Sequence, residues 1–117
     1  MNKSNIIKKG REVLNTESNA IRNLSKGLDQ NFIKAVNLII KLEGKLILSG
    51  VGKSGNIAGK LASSFTSTGV PSIYLNPVDA SHGDMGIVSQ GDVLIVISNS
   101  GEFYELSDLI NFAKKKK

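Results

Sequence analysis

Two short apolar runs each break into a turn of small residues and then into a helical pattern, and this alternation restricts the chain to few folds. The first run is Lys45–Ser49 (KLILS), followed by Gly50-Val51-Gly52-Lys53-Ser54-Gly55. The second is Val93–Ile97 (VLIVI), followed by Ser98-Asn99-Ser100-Gly101-Glu102. Five successive apolar residues leave no polar face, as expected of a parallel strand covered by helices on both sides. Behind the first turn, Ile57, Ala58, Leu61, Ala62 and Phe65 recur at helical spacing and predict a helix over 54–67. Gly69 caps that helix, and Pro71 opens a further strand running to Leu75. Residues 76–91 read as a loop with a helical turn, and a last helix begins near Glu102. The pattern predicts an α/β fold: a three-layer parallel sheet flanked by helices, joined by right-handed crossovers. In such sheets a ligand sits beyond the carboxyl ends of the strands, which directs attention to the two turns.

The N-terminal third has a different period. Ile6, Ile7, Val13, Leu14, Ala20, Ile21, Leu24 and Leu28 form one apolar stripe, predicting an amphipathic helix over 3–28 with Gly10 as its weak point. Phe32, Ala35, Val36, Ile39 and Ile40 predict a second helix over 30–42, which Glu43-Gly44 breaks. Residues 1–43 are thus expected to be helices belonging to the same domain as the α/β part, 44–117.

Composition excludes several classes. With no Cys, the chain has no disulfide, no thiolate catalysis and no Cys-based metal site. No apolar run approaches the ~20 residues that span a bilayer, and the start MNKSN lacks a leader's apolar stretch. A cytoplasmic protein without a membrane partner is the expectation. The net charge of +5 owes most to Lys114–Lys117; without them, 11 basic and 10 acidic side chains leave +1. Nucleic-acid binders spread basic charge over a face, often with stacking aromatics, so no nucleic-acid partner is expected.

The first turn satisfies G-x-G-x-x-G through Gly50, Gly52 and Gly55, yet the acid that would hold a ribose at the end of the second strand is missing; the first acid is Asp79, behind Pro77. The P-loop pattern fails as well, because Ile47 stands where its first glycine belongs. What remains is a helix start with unused amides, small residues and a nearby Lys: an anion site, or simply a tight strand-to-helix turn. The second turn offers two hydroxyls, an amide and a glycine, suited to a phosphate monoester; its plainer reading is an N-cap box. Two such turns at one sheet edge favour phosphate.

GVGKSG, the central NPVDASHGDMG and the later ISNSGE together resemble the SIS (sugar isomerase) family, a flavodoxin-like or Rossmann-like phosphosugar-binding fold, and within it the arabinose 5-phosphate isomerases. The resemblance covers essentially the whole chain. It implies an aldose–ketose isomerase interconverting ribulose 5-phosphate and arabinose 5-phosphate for lipopolysaccharide or capsule sugars, with a sugar-phosphate ligand, no cofactor and a homo-oligomeric state. By position it makes Lys53 and Glu105 catalytic. It places Ser54, Ser98 and Ser100 on the sugar phosphate, His82 on the substrate, and a further contact at Gly69 and Val70. Moving a proton between adjacent carbons needs a base and a positive charge for the developing oxyanion, which Glu105 and Lys53 can supply. His82 is the single His, so any switching near neutral pH within this chain falls to it. Plainer readings are a structural loop imidazole for His82 and a solvated helix acid for Glu105.

Several positions depart from the family pattern. Phe103 and Tyr104 stand where it has small hydroxyl residues, and Asn76 replaces its metal-binding His, so no metal is expected. Further strands and helices, with another catalytic Glu and His, follow in the family, and tandem CBS domains usually come after; none has a counterpart here. The chain therefore reads as a truncated SIS domain. A non-catalytic phosphosugar-binding or regulatory module is the alternative function, and the product of a split or decayed gene the alternative origin.

Overall fold

The computed structural model describes residues 2–102 and 104–116; Phe103, Lys117 and Met1 lie outside the described residues. The chain divides into two compact units, Met1–Val36 and Asn37–Lys117.

In the first unit, helix α1 spans Lys3–Ser25. The Asn2 side chain starts it by accepting the Ser4 N–H, and Lys26 ends it, the Lys26 and Gly27 N–H groups turning back to the Asn23 and Leu24 carbonyls. The expected helix over 3–28 therefore stops short, in a tightened last turn. Asp29 begins the next helix by accepting the Asn31 N–H at 2.8 Å. Helix α2, Gln30–Ile40, then runs across the unit boundary. No residue of α1 is buried, and Leu14 and Leu24 of its apolar stripe are 67% and 71% exposed.

The second unit is built on three parallel strands: β1 (Leu46–Gly50), β2 (Ser72–Tyr74) and β3 (Val93–Ile97), in the order β2-β1-β3. Every residue of β1 is buried, as its central position requires. Its side chains alternate between two cores. Leu46 and Leu48 pack with Ala58, Ala62 and Phe65 of helix α3 (Lys53–Ser67), while Ile47 meets Leu75, Ala80, Val88 and Leu109 on the other face. Ala80 belongs to α4 (Pro77–Ser81) and Leu109 to α5 (Tyr104–Lys115). The layering is thus helix, sheet, helix.

Two expectations are refined. Residues 76–91 hold more structure than a loop: Asn76 caps α4 by accepting the Val78 N–H, Pro77 opens it, and a 3-10 turn follows at Asp84–Ile87. The five residues of β3 are only half-buried rather than covered on both faces, because β3 is an edge strand. At the amino-terminal end of the sheet, Asp92 ties β3 to β1. Its carboxylate accepts the Lys45 backbone N–H at 2.9 Å and the Lys45 ammonium at 2.6 Å.

Candidate functional site

The turns leaving β1 and β3 lie side by side, because Gly50 and Ile97 are paired at the carboxyl end of the sheet. Between them is a cavity of about 240 Å³ lined by Val51, Ser54, Ile97, Ser98, Asn99, Ser100 and Leu106. The structure thus brings together all three expected phosphate hydroxyls, Ser54, Ser98 and Ser100.

Local conformation explains why these residues face a common space. Gly52 has φ +59°, a left-handed conformation that lets the chain reverse from strand to helix within two residues. It occupies the N-cap of α3 and offers no side chain to the first helical amides. The Lys53 and Ser54 N–H groups have no hydrogen-bond partner among the described residues. Such amides, at the positive end of a 15-residue helix, favour an anion. Across the cavity, Ser98 Oγ accepts the Gly101 N–H at 2.9 Å and Ser100 Oγ accepts the Glu102 N–H at 3.3 Å. Each hydroxyl is thereby oriented by its acceptor lone pair and retains its own proton to donate. Two oriented O–H donors facing unused amides suit a group with several acceptor oxygens.

The other expected residues sit around this cavity or away from it. Lys53 is the first residue of α3, exposed, beside the lining residue Ser54. Glu105 is in the first turn of α5, half-buried, beside the lining residue Leu106. Both flank the cavity; neither lines it. His82 caps the carboxyl end of α4 and is exposed, on the segment that leaves the carboxyl end of β2. Gly69 and Val70 precede β2 and so lie at the opposite, amino-terminal end of the sheet. Asn76 uses its side-chain oxygen to cap α4, and no cluster of three or more metal-ligating His, Asp or Glu residues occurs among the described residues.

A larger cavity of about 390 Å³ runs along β3 and α5, lined by Leu94, Val96, Ile110 and Lys114 among others. Its acid, Asp92, is already taken by Lys45 and the Ser89 amide, so it offers no comparable polar cradle.

Tyr74 was not among the expected site residues. Its hydroxyl donates to the Gly50 carbonyl at 2.9 Å, at the root of the first turn. A strand-ending tyrosine gives little sign of this in sequence, since its partner is a main-chain oxygen 24 positions away.

Comparison with known proteins bears on the family and the fold. A family model described as SIS domain matches residues 39–117. The uncharacterized protein RP505 of Rickettsia prowazekii is 41% identical over 102 residues, covering 87% of this chain and 32% of its own. Arabinose 5-phosphate isomerase KdsD of Escherichia coli K12 is 43% identical over 106 residues, covering 91% of this chain and 32% of the relative. Among solved structures, c3406 of E. coli CFT073 in complex with arabinose 5-phosphate superposes with a TM-score of 0.89 at 37% identity, covering 99% of this chain and 62% of that one. The chain therefore spans about a third of the length of these curated relatives.

Proposed function

The chain belongs to the SIS domain family, and on that footing we propose that it binds a sugar phosphate in the cavity between the turns after β1 and β3. The activity we infer is aldose–ketose isomerisation, interconverting arabinose 5-phosphate and ribulose 5-phosphate. The observation that carries this reading is the convergence of the Ser54, Ser98 and Ser100 side chains on a cavity beside two unused helix amides.

In this proposal the phosphate is held by those hydroxyls and by the Lys53 and Ser54 amides, which leaves the carbon chain to extend past the rim. Glu105, at the base of α5, takes the proton from C2 of the aldose. Electrons from the broken C–H bond form the C1–C2 double bond of an enediol, and charge develops on the former carbonyl oxygen. The Lys53 ammonium stabilises that oxygen. Return of the proton to C1, with proton transfer between the two oxygens, completes the ketose. His82 is proposed as a further substrate contact, whereas the contact expected at Gly69 and Val70 is not made in this cavity, because both precede β2 at the far end of the sheet.

A second reading, a phosphosugar-binding or regulatory module without turnover, is favoured by one observation: neither Lys53 nor Glu105 lines the cavity. The two readings separate in a single experiment. Arabinose 5-phosphate at a hundredfold excess over its Kd should stabilise the chain by about 2.7 kcal/mol in thermal unfolding. Ser98→Ala with Ser100→Ala should remove that shift. Turnover that Lys53→Ala and Glu105→Gln each abolish supports the isomerase; a shift without turnover supports the module. No shift with any sugar phosphate overturns both.

A further inference from the structure

We propose that Tyr74 is a positioning residue for the phosphate cradle, holding the peptide from which the first turn departs. The inference rests on the cradle assigned above and adds a residue on β2 to it.

The reason lies in the hydrogen-bond ladder between β1 and β2. The Leu48 carbonyl receives the Leu75 N–H at 2.9 Å. Two residues on, the ladder would bring the N–H of position 77 to the Gly50 carbonyl. Position 77 is Pro, which has no N–H, and the chain there has already turned into α4. The Gly50 carbonyl is thus deprived of its regular donor, although Gly50 itself is buried. The Tyr74 hydroxyl supplies the missing donor at 2.9 Å. A neighbouring bond runs the other way, with Ser49 Oγ donating to the Leu75 carbonyl at 2.7 Å.

Helix α3 is cut to fit this arrangement. A Cβ on Gly55 would stand 2.6 Å from the Gly50 oxygen and 2.7 Å from the Tyr74 hydroxyl, so any side chain there would break the bond. One turn on, a Cβ on Gly59 would be 4.0 Å from the Tyr74 ring, in ordinary contact with it. Gly55 therefore leaves room for the phenol, while position 59 would admit a methyl group against the ring.

The held bond bears on the site because a peptide is planar. Fixing the Gly50 oxygen fixes the Val51 N–H in the same plane, and Val51 lines the cavity. Gly52, which would otherwise let the turn rotate freely, follows immediately. Tyr74 thus limits the orientation of the turn that presents the Lys53 and Ser54 amides. Ser49 stitches the same two strands without touching that peptide, and so serves as the control.

The experiment compares wild type, Tyr74→Phe and Ser49→Ala in the full chain. It reads amide exchange by NMR, thermal midpoint and arabinose 5-phosphate Kd. Tyr74→Phe should weaken binding about fivefold, in line with one lost hydrogen bond, and should speed exchange at Gly55 and Asn56, whose amides bond the Val51 and Gly52 carbonyls of the turn. Ser49→Ala should lower the thermal midpoint comparably and leave both the Kd and these amides unchanged. Equal losses of affinity in the two variants, or no loss in Tyr74→Phe, would overturn the proposal, as would a Tyr74→Phe chain that fails to fold while Ser49→Ala folds. If the wild type binds no sugar phosphate, the function assigned above falls, and these amides alone decide the role of Tyr74: faster exchange in Tyr74→Phe only supports it, and unchanged exchange refutes it.

Discussion

At the scale of single residues, the strongest electrostatic feature is at the end of the sheet away from the proposed site. The Asp92 side chain is only 4% exposed and accepts three hydrogen bonds, from the Lys45 backbone, the Lys45 ammonium and the Ser89 amide. Burial alone pushes its carboxyl up, but the bonds from Lys45 and Ser89 outweigh it and hold the group below its ordinary 3.8. A carboxylate with a depressed folded pKa stabilises fully above its unfolded value and loses that contribution as pH falls through the folded one. Asp92→Asn should therefore cost about 2 kcal/mol near neutral pH, as expected for bonds to a charged acceptor. In denaturant titrations the gap between wild type and variant should narrow as pH falls below about 4. A gap that widens on acidification would contradict the assignment. Asp92 and Tyr74 were illegible in the sequence because each meets its partner only after the sheet has formed, 47 and 24 positions along the chain. Ser54, Ser98 and Ser100 were legible because each lies within a few residues of the glycines that shape its turn.

At the scale of elements, local chemistry explains which boundaries were readable. Val93–Ile97 was found at its full extent, since a five-residue apolar run bounded by polar turns leaves little choice. The helix behind the first turn begins one residue earlier than its apolar spacing indicates, at Lys53, because Gly52 rather than a side chain sets its start. Helix α4 was legible only as an unplaced helical turn within 76–91: five residues are too few to show a period, although Asn76-Pro77 is a cap-and-start pair. Helix α1 was visible through its stripe, and so was its flaw. A Cβ on Gly10 would meet nothing within 4 Å, so the flaw is purely conformational. Gly10→Ala should stabilise α1 by about 1 kcal/mol, the helix-interior difference between the two residues. Amide exchange around position 10 should slow by roughly fivefold as a result, with β1 unaffected. An unchanged rate would mean that α1 is not limited by local opening.

At the scale of the whole molecule, the sheet and the N-terminal helix differ in what can hold them. Strand β1 is buried along its length between two cores, whereas α1 buries no residue of its own. The alternation of apolar runs and turns made the parallel sheet legible, but a period cannot tell whether an apolar face is covered, so the exposure of α1 and the half-burial of β3 were not. Stability should follow burial rather than helical propensity, because isolated helices depend on packing for most of their protection. Amides of β1 are expected to exchange only through global unfolding, and those of α1 through local opening orders of magnitude more often. The first unit carries lysines and arginines along its length, at Lys3, Lys8, Lys9, Arg11, Arg22, Lys26 and Lys34. Brief trypsin treatment should therefore cut among these and leave a resistant fragment beginning after Lys34, close to the boundary between the units. The homo-oligomeric state that the family resemblance implies gives the same measurement a second use. A copy laid against the stripe of Ile7, Leu14 and Leu24 would shield α1, so its protection would rise with protein concentration while that of β1 stayed constant. Protection of α1 that equals that of β1 in dilute solution would refute the prediction outright, since no burial within α1 could account for it.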